Sequence, residues 1–158
     1  MIQALAEGRL ERWTGLPELL VSDLIDAAGQ PIRSEEVTLG AYPAVRHDFA
    51  IPHGTGTLVA FHRGGRVVML EVVPPPDIGA MSGLPEPTAV LPQEIRVEGA
   101  YAHEYFWAER GLLLTLAQRF DSARPERLVR CRGVHPLPPT VRTPGPDFYV
   151  PLDARIKW

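Results

Sequence analysis

From about residue 36 onward, side chains alternate in character with a period of two, and this period limits what the chain can fold into more than any other feature. Val45, His47, Phe49 and Ile51 are interleaved with Ala44, Arg46, Asp48 and Ala50, which sends one set to each face of an extended strand. Val37 and Leu39 lead into Gly40-Ala41-Tyr42, and Pro43 breaks or bends the end of that strand. Thr57 to His62 reads as a further strand. Arg63-Gly64-Gly65-Arg66 reads as a hairpin turn, because paired glycines accept positive φ. Val67 to Val73 is almost continuously apolar and reads as a central strand. Further strands are expected at residues 95–98, 102–107, 112–120 and 127–134. Helical spacing is confined to residues 2–13, to 17–28 with Gly29 and Pro31 as stop signals, and to a short segment at 77–82.

Proline reinforces the restriction. The chain has 158 residues, the size of a single domain, and 17 of them are proline. So many prolines shorten helices and keep strands to edges and bends. Six follow His135, so residues 137–158 are expected to form an extended tail. The net charge of −3 supplies no attraction for nucleic acid or an anionic membrane. The single cysteine, Cys131, excludes an intramolecular disulfide. Charges are scattered through the first residues where a leader peptide needs an apolar run, and the expected location is the cytoplasm.

The two halves echo one another. Gly40-Ala41-Tyr42 recurs as Gly99-Ala100-Tyr101, Gly56 to Phe61 aligns with Gly111 to Leu116, and Arg66 to Val73 aligns with Arg127 to Val134. In each half a helical segment ending in Gly-x-Pro precedes the strands. The expected fold is α+β: a tandem pseudo-repeat of a short helix followed by three or four antiparallel strands. Within one domain over 1–158, the first unit spans 1–76, the second 77–136 and the tail 137–158. Over residues 17–136 this pattern resembles the beta-lactamase inhibitor protein architecture and the related SmpA/OmlA-type lipoproteins. The chain departs from both in lacking a secretion signal, a lipidation cysteine and disulfide pairs. The resemblance implies a curved sheet whose exposed face binds another polypeptide.

Catalytic signatures are sparse. The histidines are His47, His53, His62, His103 and His135, and no two fall at metal-ligand spacing, so no metal site and no cofactor is expected. His47-Asp48 and His103-Glu104 resemble acid–base pairs, but adjacent strand residues point to opposite faces. Gly54-Thr55-Gly56 joins two strands, whereas a phosphate loop opens a helix. Cys131 lies between Arg130 and Arg132, which could lower its pKa; a semi-buried, inert thiol is the favoured reading. The basic run Arg124, Arg127, Arg130 and Arg132 reads as a solvated face.

Aromatic residues carry the remaining signal. Residues 99–107 hold four of the twelve aromatics, and alternation places Tyr101, His103, Tyr105 and Trp107 on one strand face with Phe106 on the other. Two arrangements satisfy this pattern. In one, Phe106 meets the helices and the Tyr/Trp row faces outward; in the other the row is core, or is covered by Phe148, Tyr149 and Trp158. Outward rings suit a binding site, since Tyr and Trp join large apolar area to a polar handle. The expected function is a non-catalytic protein that captures a protein or peptide on Tyr101, His103, Tyr105 and Trp107, such as an immunity, inhibitor or biosynthetic accessory protein. A homodimer is compatible with this. The alternatives are a small enzyme using His47, His62 and His103 gathered on one face, and a structural subunit whose tail inserts into a neighbour.

Overall fold

Hairpin turns and alternating side chains build one sheet. The computed structural model describes residues 2–52, 54–93, 100–119 and 126–145. Among these the strands are β1 (Arg33–Leu39), β2 (Tyr42–Ala50), β3 (Thr57–Arg63), β4 (Arg66–Val73), β5 (Ala89–Gln93), β6 (Ala100–Trp107), β7 (Leu112–Arg119) and β8 (Arg127–Val134). They form a single eight-stranded sheet in the order β1-β2-β3-β4-β8-β7-β6-β5, with every neighbouring pair antiparallel. Two successive four-strand meanders are thus joined through their last strands. The expected strand at 95–98 lies outside the described residues, as do His53, Gly99, Arg124 and residues 146–158. The edge strand of the second meander is instead β5, which alternation did not reveal. Its Pro92 is tolerated because an edge strand has free backbone positions.

Only two short α-helices accompany the sheet among the described residues. α1 (Ile2–Ala6) is separated from a 3-10 turn at Leu10–Arg12 by Gly8, whose φ of 71° a continuous helix cannot hold. The single helix expected over 2–13 is therefore broken in two. α2 (Val21–Ala28) starts four residues later than the sequence suggests, and Asp23 Oδ2 accepts the Leu20 N–H at 2.9 Å to cap it. Residues 17–20 are needed elsewhere: Val67 N donates to Leu19 O and Val21 N to Gly65 O, which ties this segment to the β3–β4 hairpin. A second 3-10 turn at Ile78–Met81 precedes β5.

The sheet is covered on both faces. On the helix side Leu5, Leu10, Trp13, Leu16 and Leu24 pack on Phe49, Leu58, Ala60, Leu70, Leu112, Leu114 and Leu116. On the opposite side Leu39, Val59, Phe61, Met69, Phe106, Leu113 and Val134 form a second cluster, against which Leu137 and Val141 pack after β8. Two close approaches lock the middle of the helix-side layer. The Trp13 ring lies over Gly133, where an added Cβ would come within 2.5 Å of it. Gly111, at φ 53°, accepts the Trp13 indole N–H at 3.2 Å through its carbonyl.

The opposite face also buries charge. Arg46 Nε and its terminal nitrogen donate to both oxygens of Asp48 at 2.8 and 3.2 Å, and this raises the Arg46 pKa. Arg130 lies 3.4 Å from Glu71 and Arg132 lies 3.7 Å from Glu104. Arg130 and Arg132 were expected on a solvated face; they are instead 8% and 2% exposed. The reason is register: Glu71 stands directly opposite Arg132, and Glu104 is linked through Thr115 to Arg130, so carboxylates from β4 and β6 reach both guanidiniums. Burial raises the Glu104 pKa, and the two arginines pull it part of the way back.

Candidate binding surface on the helix-side face

β6 places its four ring residues on one face, and β5 and β7 surround them. Tyr105 stands opposite Val90 on β5 and Leu114 on β7, and His103 stands opposite Pro92 and Leu116. Tyr105 and Trp107 belong with the helix-side cluster, and Phe106 belongs to the cluster on the opposite side. The row therefore looks toward the helices, the reverse of the arrangement in which Phe106 meets them.

Coverage falls away along the row. Trp107 is 4% exposed, stacks on Tyr105 at 6.3 Å, and donates its indole N–H to Pro85 O at 2.8 Å. The segment around the second 3-10 turn, with Ala80, Met81 and Leu84 against the core, closes over this end. Tyr101, His103 and Tyr105 are each only half-buried. Tyr101 donates its hydroxyl hydrogen to Gln118 Oε1, and its ring meets His103 edge-on at 5.8 Å. Burial, with smaller contributions from Glu126 and Tyr101, raises the Tyr105 pKa, so its phenol is neutral at physiological pH. Beside the rings Val90 is 47% exposed and Pro92 is exposed as well. Three ring residues with one aliphatic and one proline neighbour make a shallow, mostly apolar shelf at one wing of the sheet.

The histidines divide differently from the sequence expectation. His47 and His62 stack at 4.8 Å with planes 13° apart, whereas His103 is separated from them by β4, β8 and β7. Three histidines are not gathered; two are. Ser34 stands directly across from His47, with Oγ 2.6 Å from Nδ1. The alternation around β1 did not single Ser34 out. Counting outward from the Gly40-Ala41 turn, which pairs Leu39 with Tyr42, sets Ser34 opposite His47 and was the available signal. His62 is 9% exposed with neither ring nitrogen hydrogen-bonded, and burial, then His47, lowers its pKa. His135 is structural: Nδ1 donates to Leu16 O at 2.9 Å.

Cys131 is fully buried and its pKa is pushed up to about 12, chiefly by burial, with Glu71 adding to the rise. Arg132 acts in the opposite direction but does not prevail, so the thiol is unreactive. Among the described residues no three His, Cys, Asp or Glu side chains converge on a common metal position, and no helix is long and apolar enough to cross a membrane.

No known protein family, curated protein or solved structure matches this chain. Function is therefore read from the geometry of its surfaces.

Proposed function

We propose that this is a binding protein that captures a protein or an extended peptide on the shelf formed by Tyr101, His103 and Tyr105, with no chemistry at that surface. The observation that carries this reading is the half-exposed row of rings beside exposed Val90 and Pro92. Tyr and His side chains combine apolar contact area with hydrogen-bonding edges and lose little conformational entropy on binding. Trp107 takes part as the floor that fixes Tyr105 rather than as a contact residue. The buried single cysteine suits a reducing compartment such as the cytoplasm.

The same reading includes an origin by duplication of a helix-plus-strands unit, to which the proline-rich residues 137–158 are appended. Supporting it, β4 and β8 keep aligned residues on the same faces: Leu70 and Cys131 lie on the helix side, Glu71 and Arg132 on the other. The Gly56/Gly111 alignment fits less well, since Leu58 faces the helices and its aligned Leu113 faces away. A one-residue shift restores the match.

Affinity capture from the native host tests the function. A specific partner should be retained by the wild-type chain and lost from the Tyr101→Ala/Tyr105→Ala double variant, each truncation costing about 2 kcal/mol if these residues are hot spots. Equal capture by a folded double variant sinks the proposal.

A further inference from the structure

The opposite wing of the helix-side face carries a second arrangement that a binding shelf on β5–β7 does not require. Ser34 on β1 is exposed, and its Oγ lies 2.6 Å from His47 Nδ1 on β2, within hydrogen-bond reach. The pair is held by register, since the two residues are direct cross-strand partners. The His47 ring is itself fixed between two others: His62 stacks on it at 4.8 Å, and Phe49 meets it tilted at 6.1 Å. A hydroxyl and an imidazole in contact, with the imidazole oriented by a third group, is the arrangement that activates a serine nucleophile. Ring stacking here takes the orienting part that a carboxylate plays in other sites. His62 adds an independent indication, because it is 9% exposed and neither of its ring nitrogens finds a protein partner. Such a group carries an uncompensated desolvation cost, which a bound water or carbonyl oxygen would relieve.

We propose that Ser34 and His47 form a nucleophile–base pair that accepts an acyl group from an activated ester or thioester. Ser34 Oγ attacks the carbonyl carbon while its proton passes to His47 Nδ1. The bond to the leaving alkoxide or thiolate then breaks, and that group takes the proton back from His47. The ester on Ser34 is cleared by water, whose proton His47 accepts in turn and returns to Ser34 Oγ. His62 is a positioning residue in this scheme, holding the His47 ring in plane.

The test uses the full chain and a fluorophosphonate probe, with adduct formation followed by intact mass and peptide mapping. One adduct is expected, on Ser34. The exposed Ser22 and Ser82 serve as internal controls. Ser34→Ala should abolish labelling. His47→Gln, checked by circular dichroism, should slow it by about 100- to 10,000-fold, the usual contribution of a positioned general base. His62→Ala should lower the rate, and His62→Phe, which restores the stacked ring but not its nitrogens, should recover part of it. If His47→Gln does not fold, Ser34→Cys replaces it: iodoacetamide should alkylate that thiol faster than a Ser22→Cys control. The proposal is overturned if no adduct forms on Ser34, if Ser22 or Ser82 labels as fast, or if folded His47→Gln reacts at the wild-type rate. Equal alkylation of the two cysteine variants overturns it as well.

Discussion

Replacing Trp107 by Ala separates the core end of the β6 row from its surface end. Trp107 is 4% exposed and its indole N–H is spent on Pro85 O. Truncation of a buried Trp costs about 3–5 kcal/mol through lost transfer free energy and the cavity left behind. The orphaned Pro85 carbonyl adds about 1 kcal/mol where water cannot reach it. For a domain of this size each kcal/mol lowers Tm by about 2–4 °C, so Trp107→Ala should melt at least about 6 °C below wild type. Tyr101, half-buried, loses far less on truncation, and Tyr101→Ala should cost about 1 kcal/mol, the centre of the range for point substitutions. Urea titration followed by circular dichroism gives both values on one scale. Equal destabilisation by the two substitutions would refute the division, because it would put Trp107 on the surface or Tyr101 in the core.

Two other outcomes follow from the ionisable groups. Cys131, buried with its pKa near 12, should resist alkylation in native protein at pH 8 and react at once in denaturant; rapid native-state labelling would show that β8 opens locally. His62 has a pKa lowered in the fold, so the folded chain binds fewer protons than the unfolded chain. Its contribution to stability is therefore full above the unfolded value of about 6.5 and is lost as pH falls through the lowered folded value. Unfolding free energy should drop between neutral and mildly acidic pH, and His62→Phe should flatten that slope; an unchanged slope in the variant assigns the effect to another group.

Much of this architecture could be read locally. Alternation at Val45 to Ile51 and the glycine pair at 64 and 65 prescribe antiparallel hairpins, because each depends only on neighbours in the chain. The common face of Tyr101, His103, Tyr105 and Trp107 follows from the same period. Three things did not follow from it. Which side that face meets was decided by α1, α2 and the turn at Ile78–Met81, packing on one surface of the finished sheet. The burial of Arg130 and Arg132 was decided by β4 and β6, remote in sequence, bringing Glu71 and Glu104 to them. The contact between His47 and His62 required the β2–β3 register, which sets Val45 opposite His62 and His47 opposite Ala60. Local periodicity states what alternates along a strand. Only the assembled sheet decides which face is dry and which charges meet, since burial and Coulomb energy depend on neighbours in space.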